Sequence, residues 1–415
     1  MSKKKVLTLK EIFIYVIINM LIFQTPLQNR IAIFQYLDEI IALFMGCYLL
    51  INFLMNSKKY FSYELRPILI SFMILILGLI SNYYSKIQLQ IGPIIMDIGN
   101  NFKFLLTFFG SMLYLRKLKH RNYLISCLAF TTRFCVFIAF FFSVINIFIN
   151  INMHYDTRFG IRSFQFIFGH AGMLNIACYL WLAILSADLY NGFLNRNSSK
   201  KRYIFIFLAL LVWCSTLRTR AIILAFCYLI TLYFLVKRKR IRINIIKILP
   251  VITIAFTFAY PQIEKYFLNS KAPRAILLKY GIETMNEYFP FGSGFSTYGS
   301  FAASKYYSKL YFKYGFDRGY GINPYDRQFL TDNYWPSIIA QYGFFGFVLM
   351  IVLFISIAII ILRKTKNNSY YRFASMICFC SLLIASTVTT SFSHYTAVSL
   401  FFIIPLFFKS SEESI

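Results

Sequence analysis

Charged side chains are scarce in this chain. They make up 14% of its 415 residues, and the acidic ones number 15 against 43 basic. That is too little charge to cover a soluble surface of this size. Cysteine occurs eight times, each time inside or at the edge of an apolar run (Cys47, Cys127, Cys135, Cys178, Cys214, Cys227, Cys378, Cys380). None has zinc-ligand spacing. The one long polar stretch, residues 261–335, holds no cysteine, which excludes a disulfide staple there. No internal repeat is visible, and a cleavable signal-peptide pattern is missing. The basic start Lys3-Lys4-Lys5 ahead of a long apolar run reads as an uncleaved anchor with its N-terminus inside.

Apolar surface is abundant instead. Hydrophobic residues reach 59% and aromatics 20%, above the roughly 45–50% apolar share of a soluble domain. They fall in long runs such as Phe344–Leu362 and Ile204–Leu211, and about 20 such residues match the hydrocarbon thickness of a bilayer. The net charge of +28 does not point to nucleic acid, because Lys and Arg cluster in short loops between apolar runs, the pattern of cytoplasmic loops that resist translocation.

The chain reads as an all-α integral membrane protein of about twelve transmembrane helices. The expected spans lie near 9–27, 36–55, 67–84, 94–115, 123–149, 171–190, 203–216, 221–236, 244–260, 336–362, 373–390 and 394–408. Every second loop is basic: Lys58, Lys59 and Arg66; Arg116, Lys117, Lys119 and Arg121; Arg196, Lys200, Lys201 and Arg202; Lys237, Arg238, Lys239, Arg240 and Arg242; Arg363, Lys364 and Lys366. This parity puts both termini in the cytoplasm. It divides the chain into nine spans over 1–260, a large extracytoplasmic loop over 261–335, and three spans with a short tail over 336–415. The loop is far longer than ordinary connections, and its many Tyr and Phe predict a folded segment. Pro273 ahead of an apolar stretch predicts a helix to about Tyr288. Pro290 to Gly294 predicts a tight turn, and a second helix is expected from Ala302 to Tyr314. Thr331 or Asp332 is expected to cap the helix that enters the next span.

The residues of chemical interest are those that break the positive-inside pattern. Arg158 and Arg162, with His170 beyond them, Arg218 and Arg220, and Arg274 all fall outside. Guanidinium groups converging above the bundle would form a pocket for a phosphorylated or diphosphate group, which they match bidentately. Plainer roles are open for each. Arg158 and Arg162 serve equally as solvated or snorkelling loop charges, His170 as an interfacial histidine, and Arg274 as a surface charge. Arg218 and Arg220, two apart, cannot share a helix face. Gly292 and Gly294 suit a turn as well as a phosphate nest, and Asp332 a cap. Asp97 and Lys103 lie in or at the edge of a span, where charge is costly; a structural pair is as open as a functional role.

These motifs resemble the bacterial O-antigen and capsular polysaccharide polymerases of the Wzy type, relatives of the O-antigen ligases. Ser215-Thr216-Leu217-Arg218-Thr219-Arg220-Ala221 resembles the family's Ser/Thr-rich segment ending in an arginine before a span. Arg274 through Pro290-Phe291-Gly292-Ser293-Gly294 to Tyr298 is similar to its outer-loop signature. Asp332-Asn333-Tyr334-Trp335 followed by Gly343-Phe344-Phe345-Gly346 is similar to its acidic or His-Asn motif, and Arg162 to Ala171 more faintly to an earlier loop. The resemblance implies a GT-C-like architecture and a metal-independent glycosyltransferase without cofactor. Its substrate would be an undecaprenyl-diphosphate-linked oligosaccharide at the outer face of the bacterial cytoplasmic membrane, with membrane lipids, a flippase and chain-length regulators as partners. Arg220 and Arg274 would stabilise the leaving diphosphate, helped by Arg158, Arg162 and Arg218. Asp332 or His170 would handle the acceptor hydroxyl, and Gly292, Gly294, Tyr298, Tyr334 and Trp335 would contact diphosphate or sugar. A ligase with the same chemistry, or a lipid-oligosaccharide flippase without chemistry, are the alternatives. The charge parity itself is testable. Alkaline phosphatase fused after Gly321 is expected to be active and one fused after Lys366 inactive; the reverse pattern would invert the topology.

Overall fold

The computed structural model describes residues 6–56, 62–158, 160–194, 199–236, 260–261 and 264–408. Its helices are α1 (Leu9–Ile22), the short α2 (Gln24–Gln28), α3 (Leu37–Asn56), α4 (Ser62–Ser85), α5 (Ile91–Tyr114), α6 (Arg121–Phe148), α7 (Ala171–Leu194), α8 (Ser199–Cys214) and α9 (Thr219–Val236). After these come α10 (Pro273–Glu287), α11 (Phe301–Tyr306), α12 (Lys309–Lys313), α13 (Tyr334–Lys364), α14 (Ser369–Ala385) and α15 (Tyr395–Ile403). A helix thus lies over eleven of the twelve expected spans. Among the described residues, six helices are long and apolar enough to cross a membrane. The ninth expected span (244–260) lies almost wholly outside the described residues. So do the basic residues Lys3, Lys4, Lys5, Lys58, Lys59, Arg196, Lys237, Arg238, Lys239, Arg240 and Arg242.

Helix α7 is the hub. Its apolar residues run round the whole helix, so it is buried on all sides, whereas α3, α4, α6, α9 and α13 each leave an apolar flank uncovered. On α6 that flank is Phe130, Phe134, Phe137 and Phe141, spaced at one helical face and exposed, a surface suited to lipid. Polar contacts gather at the two ends of the bundle. At one end Glu64 pairs with Lys364, and Asp188 pairs with Arg133 and, at 3.2 Å, with Arg202. The opposite end carries the hairpin, the large loop and the candidate site.

The all-α expectation needs one amendment. Between α6 and α7 the chain forms a two-stranded antiparallel hairpin, β1 (His154–Arg158) and β2 (Ile161–Phe164), with Thr157 opposite Arg162. Asp156 receives the Ser163 hydroxyl, which ties the strands together.

The large loop has its own aromatic core, built on Leu277, Tyr298, Tyr307, Leu310, Tyr311 and Phe316. Helix α10 begins at Pro273, as its sequence predicts. The expected second helix is two short ones, because Tyr307 turns left-handed (φ 47°) and Ser308 caps a new start. Asn333, not Thr331 or Asp332, caps α13, its side chain accepting from Trp335 N. That leaves the Asp332 carboxylate for another partner.

The seam between loop and bundle explains the glycines. Helix α13 is broken at Gly343 (φ 62°, ψ −162°), which frees carbonyls at the break. Ser293 N donates to Ala340 O (2.9 Å) and Gly294 N to Gln341 O (2.8 Å). Phe295 N donates to Asn82 Oδ1 (2.7 Å) and Ser296 N to Asp97 Oδ2 (2.6 Å). A Cβ on Gly294 would lie 2.5 Å from Asn82 N, and one on Gly292 would collide with Gly343 N. Asp97 and Lys103 are therefore not a pair: Asp97 anchors the loop, and Lys103 binds Asp38 at 2.6 Å. Gly343→Ala should lower stability in detergent by about 2 kcal/mol or more, since a side chain in that glycine-only region costs about 1–3 kcal/mol before any contact. Its Cβ would also sit 2.5 Å from Gly292 N. Gly99→Ala, where nothing lies within 4 Å, is the neutral control, read by thermal unfolding of the two variants.

Candidate functional site

Four elements meet above α7 to enclose a cavity of about 220 Å³. One wall is α7 itself, through Gly172, Met173, Ile176 and Tyr179, with His170 just ahead of its first turn. A second wall is α14 and the turn after it, through Ser381, Leu382, Ala385 and Thr389 to Ser391. His394, Thr396 and Leu400 come from the start of α15, Arg220 from the first turn of α9, and Thr331 and Asp332 from the loop. From His170 to Tyr179 the wall descends roughly 13 Å at about 1.5 Å per residue. Its rim is charged and its floor apolar. The volume falls short of the roughly 300 Å³ of small-molecule pockets, so it suits the reacting end of a ligand and not a whole oligosaccharide.

The arginines divide into paired and unpaired. Arg158 Nε donates to Asp156 Oδ2 at 2.9 Å, and Arg218 lies 3.7 Å from the same carboxylate with its guanidinium 5.3 Å from the Tyr155 ring centre. Arg274 Nη2 donates to Asp332 Oδ2 at 3.0 Å and to Val388 O at 3.5 Å, its guanidinium 4.7 Å from the Tyr266 ring centre. Arg274 stands in the first turn of α10, beside the positive end of the helix dipole, where a cation gains nothing from its helix; Asp332 holds it there. Arg220 has no acidic partner among the described residues, and its Nη1 is buried without a hydrogen bond. The Tyr179 hydroxyl, on the cavity floor, is likewise buried and unpartnered. Buried donors without acceptors are costly, and both belong to cavity-lining side chains.

Titration follows from this layout. His170 is drawn down to about 4, first by burial and then by the cations Arg218, Arg220 and Arg158, with Asp156 opposing. Its Nδ1 accepts the Gly172 N–H at 2.9 Å, which assigns the proton of the neutral ring to Nε2. His170 is thus a neutral donor near pH 7, not the base its sequence position suggested. Burial pushes the Asp332 carboxyl up, and Arg274 offsets part of that rise.

Other expected site residues lie elsewhere. Arg162, on β2, donates to Asn146 O at 3.4 Å, and neither it nor Arg158, Arg218 or Arg274 lines the cavity directly, where Arg220 is the arginine present. The amides of Gly292 (to Tyr288 O, 2.8 Å) and Gly294 are spent inside the protein, so no phosphate nest is left. Tyr298 is fully buried, its hydroxyl bonded to Leu277 O at 2.8 Å. Tyr334 is buried against Phe392, and Trp335 Nε1 donates to Ser386 Oγ at 3.1 Å. None of these three rings lines the cavity. Tyr179 and His394 also line the cavity; Tyr179 lies in an apolar run that gives no local sign of a site, and His394 at the edge of one. The rule that marks Asp97 and Lys103, an ionisable group at a span edge, also marks His394.

The depressed His170 value sets a pH dependence. Between pH 6.5 and about 4 the unfolded chain binds a proton that the folded chain does not, so stability rises with pH across that window and is lost as pH falls through it. Thermal unfolding followed from pH 7 to 4 should show the loss, and His170→Gln should flatten that part of it. A family model described as Wzy_C, O-antigen ligase, matches residues 203–351, from α8 through the break in α13. The stretch holds Arg218, Arg220, Arg274 and Asp332, while His170 and His394 fall outside it. No curated protein matches the chain. The family match supports a place in the O-antigen ligase/polymerase superfamily, whose members are glycosyltransferase-like membrane enzymes of surface glycan synthesis, and does not separate polymerase from ligase.

Proposed function

We propose that this chain polymerises lipid-linked oligosaccharide repeats, moving the growing glycan from undecaprenyl diphosphate to a hydroxyl of the next lipid-linked repeat without a metal ion. The observation that carries this reading is the unpartnered Arg220 Nη1, on a side chain that lines one cavity with Asp332, the carboxylate that Arg274 holds. In the step, the acceptor oxygen bonds to the anomeric carbon as the carbon–oxygen bond to the diphosphate breaks, and the electron pair leaves on the diphosphate. Arg220 meets that growing charge, with Tyr179 as a neutral donor below it, and Arg274 adds a second cation. Arg158 and Arg218 raise the local positive potential and draw anionic substrate to the rim. Asp332, held by Arg274, orients the acceptor hydroxyl. The apolar floor of Ile176, Leu382 and Leu400 excludes water that would otherwise hydrolyse the donor.

In this reading the spans number twelve and the loop faces away from the cytoplasm. The flippase that delivers repeats and the protein that sets chain length would be the working partners. A ligase differs only in its acceptor, and the description of the matched family keeps that second reading in view. Glycan length in a strain carrying Arg274→Ala tests the proposal, with protein level checked by blot. Normal protein with single lipid-linked repeats and a polymer yield lowered about 100-fold or more is expected, the scale of losing one donor to a developing oxyanion. Long polymer at wild-type yield would overturn it.

A further inference from the structure

The transfer step needs a group that takes the acceptor proton, and two of the three titratable rim groups are already committed. Asp332 is bonded to Arg274 at 3.0 Å, and a carboxylate so held is a weak base. His170 uses its only lone-pair nitrogen, Nδ1, to accept the Gly172 amide. His394 is different. It lines the same cavity, its ring tilted against Tyr395 with centroids 4.2 Å apart, and neither ring nitrogen has a hydrogen-bond partner among the described residues.

Its position is held from behind. His394 precedes α15, where its carbonyl accepts the Ala397 amide at 3.1 Å. Next to it Tyr395 is tied through its hydroxyl to Thr25, and Ser393 donates to Asn101 at 2.6 Å. Both neighbours of His394 are thus fastened to other helices. The ring is presented to the cavity from a fixed backbone, the preorganisation that proton transfer requires.

We propose that His394 is the general base of the glycan transfer, a role that rests on the reading above. The acceptor hydroxyl oxygen bonds to the anomeric carbon. Its proton passes to the free nitrogen of His394. The bond to the diphosphate breaks, and its electron pair leaves on the lipid diphosphate facing Arg220. The proton is then released to solvent and the ring returns to its neutral form.

The test uses the full-length chain in lipid nanodiscs with a synthetic undecaprenyl-diphosphate-linked oligosaccharide as both donor and acceptor. His394→Ala and His394→Gln are each expected to lose about 100-fold or more of turnover, the scale of a general base. Both should still bind the lipid-linked donor within about 3-fold of wild type, and added imidazole should restore part of the turnover of His394→Ala. A structural role would not be rescued by imidazole. The proposal is overturned if either variant turns over within about 3-fold of wild type, if donor binding falls together with turnover, or if imidazole restores nothing. Arg220→Ala in the same assay separates the two claims. Inactive Arg220→Ala beside active His394→Ala would remove the base and keep the transferase; activity in both would remove the transferase reading itself.

Discussion

A peptide group buried in protein has no water to bond, so a helix can break there only if other parts of the protein supply the missing partners. The break of α13 at Gly343 is such a place, and much of the rest depends on how it is filled. The segment 290–296 lies against the open carbonyls, with Asn82 and Asp97 receiving the next two amides. Only glycine fits at 292, 294 and 343, because the two backbones pass closer than a Cβ allows. This seam fixes the large loop to α4, α5 and α13. By fixing the loop it sets where Arg274 and Asp332 stand relative to Arg220.

The charges over the cavity form a graded series. Asp156 offsets Arg158 and Arg218, Asp332 offsets Arg274, and Arg220 is left without an acid among the described residues. An unpaired guanidinium that is partly buried carries a desolvation cost that an anion bound beside it would offset. Burial, reinforced by the same cations, keeps His170 neutral, and its Nδ1 is already taken by the Gly172 amide.

Several features could be read along the chain because they depend on neighbours in sequence. Apolar runs of bilayer length, Pro273 at a helix start, and arginines in the loops of the wrong sign are local signals, and the first two coincide with the helices observed. Asn333 took the cap from Asp332 because its side chain accepts from the amide two residues on, a choice between adjacent residues that propensity alone does not make. Tyr298, Tyr334 and Trp335 looked like sugar platforms because aromatics are typical of both interfaces and cores. Tyr298 and Tyr334 are buried against Leu277 and Phe392, and Trp335 is bonded to Ser386, so none of the three lines the cavity.

The amino-acid order by itself determined a helical membrane chain with one folded polar loop and a set of misplaced arginines, since hydropathy and charge act residue by residue. Which arginine stays free, which glycines are packing and not phosphate nest, and that His394 and Tyr179 share a cavity with Arg220 were decided only by tertiary structure. Those facts join residues as far apart as 170, 220, 332 and 394 in the chain. Their meeting depends on how helix ends stack and on which buried polar groups find partners, and no local pattern encodes that.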